Sequence, residues 1–287
     1  MGIWPVGKGS RLNRILTIRW SGQLTDGLFQ SALASFVLFS PERAPNAVSA
    51  ALAFSVVLLP YSLIGPYVGT FLDRFSRQRI IRNCNYVRAA NLLIIAWLIN
   101  NSSTGIILTL FVLFAFGVNR LILSGLSAGL PLLVKKEELI AANALAVTGG
   151  TIWVVIGGGI GIAIKNLLSK NADADYADAV VVLVASMGFL IAALACLRLN
   201  KYEIGPSENE TLDHARGYKD VLEGLKILRA HFDALVGIFA VGIQRGGITA
   251  LTLMALLLER NAFNDPADPD AGLAGFGMAL AIAGIGI

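Results

Sequence analysis

Three charged residues sit inside runs that are otherwise almost wholly apolar. Asp26 lies in "SGQLTDGLFQS", Arg120 in "FGVNRLILSG", and Arg245 follows Gln244 in "VGIQRGGITA". A charge in such surroundings is costly, so one that persists there is either paired or put to use. An acid at Asp26 could carry a proton from one aqueous face to the other. Arg120 could be its counter-ion or could orient an anionic substrate. The plainer alternatives are structural, with Asp26 hydrogen-bonding across helices and Arg120 held in a static pair. For Gln244 and Arg245 the reading depends on where their span lies.

Other chemistries have little raw material. The two cysteines, Cys84 and Cys196, lie far apart with no CxxC pairing, and the two histidines are His214 and His231. Neither a metal site nor a disulfide framework follows from these. No GKS or GKT phosphate loop, HExxH or pair of intramembrane carboxylates occurs. No cofactor is expected, ATP is not expected as a driver, and an enzyme is a poor reading.

The densest charged stretch is "GTFLDRFSRQR", Gly69 to Arg79. It fits the pattern Gly-x-x-x-Asp-Arg/Lys-x-Gly-x-Arg/Lys-Arg/Lys through Gly69, Asp73, Arg74, Arg77 and Arg79, departing at Ser76 and Gln78. An aspartate at a helix end can pair with arginines or with the positive N-terminus of a neighbouring helix. Such contacts hold one conformation and break in another. A plain basic loop would need neither the aspartate nor this spacing. A second cluster, "GGGIG", brings Gly157 and Gly161 to four-residue spacing, repeated at Gly65/Gly69, Gly125/Gly129 and Gly242/Gly246. Small residues so spaced let helices pack closely. Packing is the favoured role for Gly157 and Gly161, and a hinge is the second.

The elements that position these residues are legible from composition. Hydrophobic residues make up 55% of the 287 and charged ones 15%, against roughly 25% charged in an ordinary soluble domain. The charges are clustered between long apolar runs, each near the length of about 20 residues that crosses a bilayer. Spans are expected at 20–39, 48–72, 80–100, 105–134, 141–164, 179–197 and 232–258, with an eighth beginning near Gly272. The organisation that follows is a tail (1–19), a six-helix bundle (20–197), a central loop (198–231) and the start of a second bundle (232–287). Within the loop, Val221, Leu222, Leu225 and Leu228 share one helical face. They predict an amphipathic helix at the membrane surface.

With the N-terminus inside, 17 of the 23 lysines and arginines fall on inner segments and adjoining span ends, and four fall on outer loops. Arg88 is counted among the former and Lys165 among the latter. This is a positive-inside bias, so the formal charge of +4 calls for no nucleic-acid partner. The basic tail reads as an uncleaved anchor.

The loop motif, at its place after the second span, resembles that of the major facilitator superfamily, the twelve-helix secondary transporters. "LPLLVKKEELIAANAL" and "EGLKILRAH" resemble the corresponding stretches of its efflux-type members, and "GGGIG" partly resembles the fifth-helix motif of drug antiporters. The resemblance covers nearly the whole chain. It implies an all-α polytopic membrane protein in the plasma (inner) membrane: the six-helix N-terminal bundle of the major facilitator fold plus helix seven and the start of helix eight. It also implies that helices one, four and seven line a central cavity, so that Asp26, Arg120, Gln244 and Arg245 face substrate. Gly69, Asp73, Arg74, Arg77 and Arg79 would form a latch to a helix of the other bundle. Ser124, where proton-driven members carry glycine four residues after the fourth-helix arginine, departs from that pattern.

The function implied is proton-coupled export of hydrophobic or amphipathic small molecules by alternating access. The partners implied are a small-molecule substrate, protons and the lipid bilayer. The chain stops sixteen residues into its eighth span, which reads as truncation. The competing expectation is therefore a non-transporting protein or a half-transporter that needs a partner bundle.

Overall fold

The computed structural model describes residues 11–38, 68–69, 71–206, 218–265 and 269–285. Among these the chain is helical, without strands. Helix α1 spans Arg11–Leu33 and continues as a π-turn, Ala34–Leu38. The expected second span lies mostly outside the described residues; its C-terminal end, α2, is helical over 71–74. Then come α3 (Arg77–Asn100), α4 (Ile106–Gly129), α5 (Leu139–Leu168) and α6 (Ala174–Ala195). The central-loop helix α7 (Tyr218–Ala230) leads to α8 (Phe232–Leu258) and α9 (Pro269–Ile285). The expected bounds of α8 agree at both ends. Helix α1 begins nine residues earlier than expected, because Leu12, Ile15, Leu16 and Ile18 already bury one face of it.

Among the described residues, four helical segments are long and apolar enough to cross a membrane on length and composition: Ile106–Leu132, Lys136–Leu168, Ala174–Arg198 and Phe232–Phe263. Helices α1 and α3 are more polar, and their polar residues turn inward. On α3, Gln78, Asn85, Arg88 and Asn91 are buried at helical spacing, while Leu93, Ile94 and Trp97 are exposed. Helix α6 shows the same inversion with small residues, with Ala185, Ala192 and Ala193 inside and Met187, Ile191 and Leu194 outside. Small or polar residues at helix contacts and large apolar ones outside suit a lipid surround, where burying apolar groups between helices brings no hydrophobic gain.

Helix α1 packs on α5 and α6, and α3 on α4 and α6. Their contacts make two apolar clusters. One holds Phe29, Leu92, Phe116 and Phe189; the other, nearer the N-terminal end of α1, holds Leu16, Ile81, Leu126 and Ile204. On α1 and α3, Asp26 and Arg88 fall between the stretches that feed the two clusters. Helix α7 forms as expected, with Leu222 and Leu225 exposed.

Candidate functional site

Asp26 is 3% exposed and Arg88 1%. Arg88 Nη2 donates to Asp26 Oδ1 in a direct ion pair across α1 and α3. Its Nη1 donates to Asn119 Oδ1 of α4 at 3.2 Å, and Asn119 also hydrogen-bonds Asp26. The guanidinium lies 3.8 Å from the ring centroid of Phe189 on α6. Four helices thus each contribute one group. Two charges taken out of water are tolerated only when each is answered by the other and by further hydrogen bonds. The aromatic face adds a cation–π contact that gains strength where water is absent.

This pairing moves the counter-ion of Asp26 from the expected Arg120 to Arg88. Arg88, expected among the inner-side cations, sits near the middle of α3. The available signal was the run Gln78, Asn85, Arg88, Asn91, a polar stripe at helical spacing inside an apolar segment. Arg120 follows Asn119 on α4 and is half-buried.

Behind the pair lies a cavity of about 680 Å³. Its walls come from α1, α4, α5, α8 and α9, which are the first, fourth, fifth, seventh and eighth of the expected spans. Gln30, Ser31, Thr109 and Thr252 supply polar groups, and none of the described lining residues is charged. Gly27 and Phe116 line it, and Phe116 packs on Phe29 with centroids 5.8 Å apart. Asp26, one residue from Gly27, turns the opposite way, toward Arg88. The ion pair and the cavity therefore share α1 and α4 as a common wall. Neither Asp26 nor Arg120 is among the described lining residues, and Gln244 and Arg245 are exposed on α8.

Gly149, Gly150, Gly157 and Gly161 of α5 face α1. A Cβ on Gly157 would overlap the Leu24 carbonyl, one on Gly161 the Ser31 hydroxyl, and reciprocally one on Gly27 the Val154 carbonyl. Backbone meets backbone along this seam. Gly242 and Gly246 make no such approach to described residues.

At the start of α3, Asp73 Oδ1 accepts from Arg77 Nη2 at 3.0 Å. Arg77 Nη1 also donates to the carbonyls of Ala128 and Ile204, each at 3.1 Å. Gly69, Arg74 and Arg79 are exposed, and a Cβ on Gly69 would meet nothing within 4 Å.

A second buried polar group went unread in the sequence. Lys165 Nζ of α5 lies 3.8 Å from Asp178 Oδ2 of α6, and both are buried. Ser35, in the π-turn after α1, accepts from Lys165 and donates to Asp178 Oδ2 at 3.0 Å. Lys165 had been placed in an outer loop, and it is inside the bundle.

The Major Facilitator Superfamily model matches residues 20–287. Uncharacterized MFS-type transporters of Mycobacterium tuberculosis and Mycobacterium bovis are each 31% identical over 252 residues, covering 86% of this chain and 56% of theirs. Macrolide efflux protein A of Streptococcus pyogenes is 21% identical over 227 residues, 77% of this chain and 52% of its own. The chain spans about half the length of the curated relatives it matches. With inward polar faces, lipid-type surfaces and a match over nearly its whole length, the chain belongs to the Major Facilitator Superfamily of membrane transporters.

Proposed function

We propose that the protein is a secondary active exporter of uncharged hydrophobic or amphipathic small molecules, driven by the proton gradient through alternating access. The observation that carries this is the cavity. Its volume of about 680 Å³ falls in the range of small-molecule sites, which are mostly apolar with a few placed polar groups. Among the described residues its walls carry hydroxyls and one amide but no charge, which favours a ligand without a fixed ion. A relative whose name gives macrolide efflux supports the direction and the substrate class.

Asp26 is the proton-carrying group in this reading, since it is the acid paired behind the cavity wall. Protonating it would free Arg88 from its counter-ion and loosen α1 from α3. That is a local charge event able to bias a two-state equilibrium. The inside-positive charge distribution supports an N-terminus in the cytoplasm and a place in the plasma membrane. Arg245 and Gln244, exposed on an otherwise apolar helix, call for a water-lined or protein cover in the membrane and not lipid. They support a second bundle against this face.

The test uses the protein as the cell makes it, in proteoliposomes with an imposed pH gradient and a lipophilic fluorescent substrate. Uphill movement that collapses with a protonophore is expected, and Asp26→Asn should bind the dye but lose gradient-driven accumulation. Undiminished accumulation by that variant would remove Asp26 from coupling. Accumulation indifferent to the protonophore would refute proton drive.

A further inference from the structure

Residues 199–206, just past α6, cross the inner end of the bundle as a strap. Ile204 is fully buried, and a Cβ on Gly129 of α4 would come 2.8 Å from the Ile204 Cβ. Gly205 has φ +71°, which glycine adopts without steric cost, and a Cβ there would lie 3.0 Å from Leu132 and 3.2 Å from Arg77. The carbonyls of the strap face the loop motif. That of Gly205 accepts from the backbone N–H of Arg77 at 3.0 Å, that of Ile204 from Arg77 Nη1 at 3.1 Å, and that of Lys201 from the Ser76 hydroxyl.

The one acid of the strap, Glu203, points to the foot of α1. Its Oε1 accepts from Arg14 Nη2 at 2.8 Å and lies 3.7 Å from Arg11 Nε, while Oε2 accepts from the Asn200 N–H at 2.9 Å. Arg14 Nη1 donates to the Arg198 carbonyl at 2.8 Å. The Glu203 side chain is 3% exposed, although Arg14 is about a third exposed. A charged acceptor so enclosed forms bonds stronger than neutral ones. The motif is thereby divided: Arg77 is tied inward, while Asp73 is 48% exposed and Arg74 and Arg79 are open.

We propose that Glu203 is a positioning residue for transport. It anchors the strap to α1, the strap carbonyls hold Arg77, and Arg77 sets the pose in which Asp73, Arg74 and Arg79 are presented to the opposing bundle. The proposal rests on the transporter reading above, and its test separates the two.

Cys196 lies fully buried beside the strap. With Cys84→Ser as background, the rate of maleimide labelling of Cys196 in proteoliposomes reads strap opening. Initial rates with the lipophilic dye read transport. Glu203→Gln should raise labelling about tenfold, as expected for loss of charge-assisted hydrogen bonds. It should lower the maximal rate about tenfold with KM unchanged, the mark of a lost positioning contact. Glu203→Asp, which keeps the charge, should restore both to within about threefold of the unaltered protein. Arg14→Gln, on the more exposed side of the pair, should reproduce Glu203→Gln, and the double variant should add little, as partners in one network do.

Unchanged labelling in both single variants overturns the anchoring. Faster labelling with unchanged transport overturns the positioning role and leaves only a structural strap. If the unaltered protein moves no substrate under any gradient, the transporter reading falls, while labelling still decides whether Glu203 anchors the strap.

Discussion

Among the described residues the bundle holds two buried ion pairs that satisfy their charges by different means. Asp26–Arg88 is a direct contact whose side chains are 4% and 1% exposed, and Asn119 and the ring of Phe189 complete the arginine's surroundings. Lys165–Asp178, at 6% and 2%, stands 3.8 Å apart with the Ser35 hydroxyl relaying between them. Arginine's flat fork can be met from several sides at once, while an ammonium is a compact charge that a single hydroxyl can serve. The arginine pair draws on four helices and the lysine pair on the ends of three. The first is therefore the more consequential to break, and the second the more tolerant.

Removing one partner tests that difference most directly. Arg88→Met should leave Asp26 buried without its counter-ion and cost about 3–5 kcal/mol. Lys165→Met should cost about 1–3 kcal/mol, because Ser35 still donates to Asp178. Thermal melting of detergent-solubilised protein, followed by size-exclusion chromatography, should rank the two in that order. The double variant Asp26→Asn/Arg88→Gln should recover much of the first loss, since no charge is then stranded. Equal losses for Arg88→Met and Lys165→Met would break the comparison.

The α1–α5 seam joins the two sites, because Ser35 continues α1 and Lys165 closes α5. Gly157→Ala would place a methyl in the Leu24 carbonyl, so the helices must separate, at about 1–3 kcal/mol. The same separation should disturb both pairs. Gly159→Ala, whose Cβ meets nothing within 4 Å, is the control and should melt unchanged. A harmless Gly157→Ala would mean that the seam does not set the spacing of either pair.

How far these features could be read from the sequence depended on where each charge falls in its helix. Asp26 stood out as an acid deep within an apolar run, and the glycine spacing pointed to packing, though not to which backbone it would meet. Arg88 escaped because cations near the inner end of a span are so common that topology accounts for them. Lys165 and Asp178 escaped for the same reason at the outer end, where residues flanking an apolar run look solvated. Only the packing of α1, α5 and α6 shows that both chains turn inward. Glu203 was hidden in a mixed-charge loop, because a strap is made by carbonyls meeting distant arginines and carries no periodicity. Helix α8 was read to the residue, since Asp233 and Glu259 mark the ends of its apolar run.

The smallest expected effect probes the relay itself. Ser35→Ala removes the hydroxyl that accepts from Lys165 and donates to Asp178, yet leaves both charges in place. At 3.8 Å the ammonium and carboxylate are already close enough that a small rotamer change brings them into direct contact. The loss should therefore be that of one ordinary hydrogen bond, about 0.5–1.5 kcal/mol, and should be undetectable in the double variant Lys165→Met/Asp178→Asn, where there is no charge to relay. If Ser35→Ala instead cost as much as Lys165→Met, the hydroxyl would be the support of the pair and the pair would be no more tolerant than Asp26–Arg88. Melting curves for the two single variants, measured side by side, separate these outcomes.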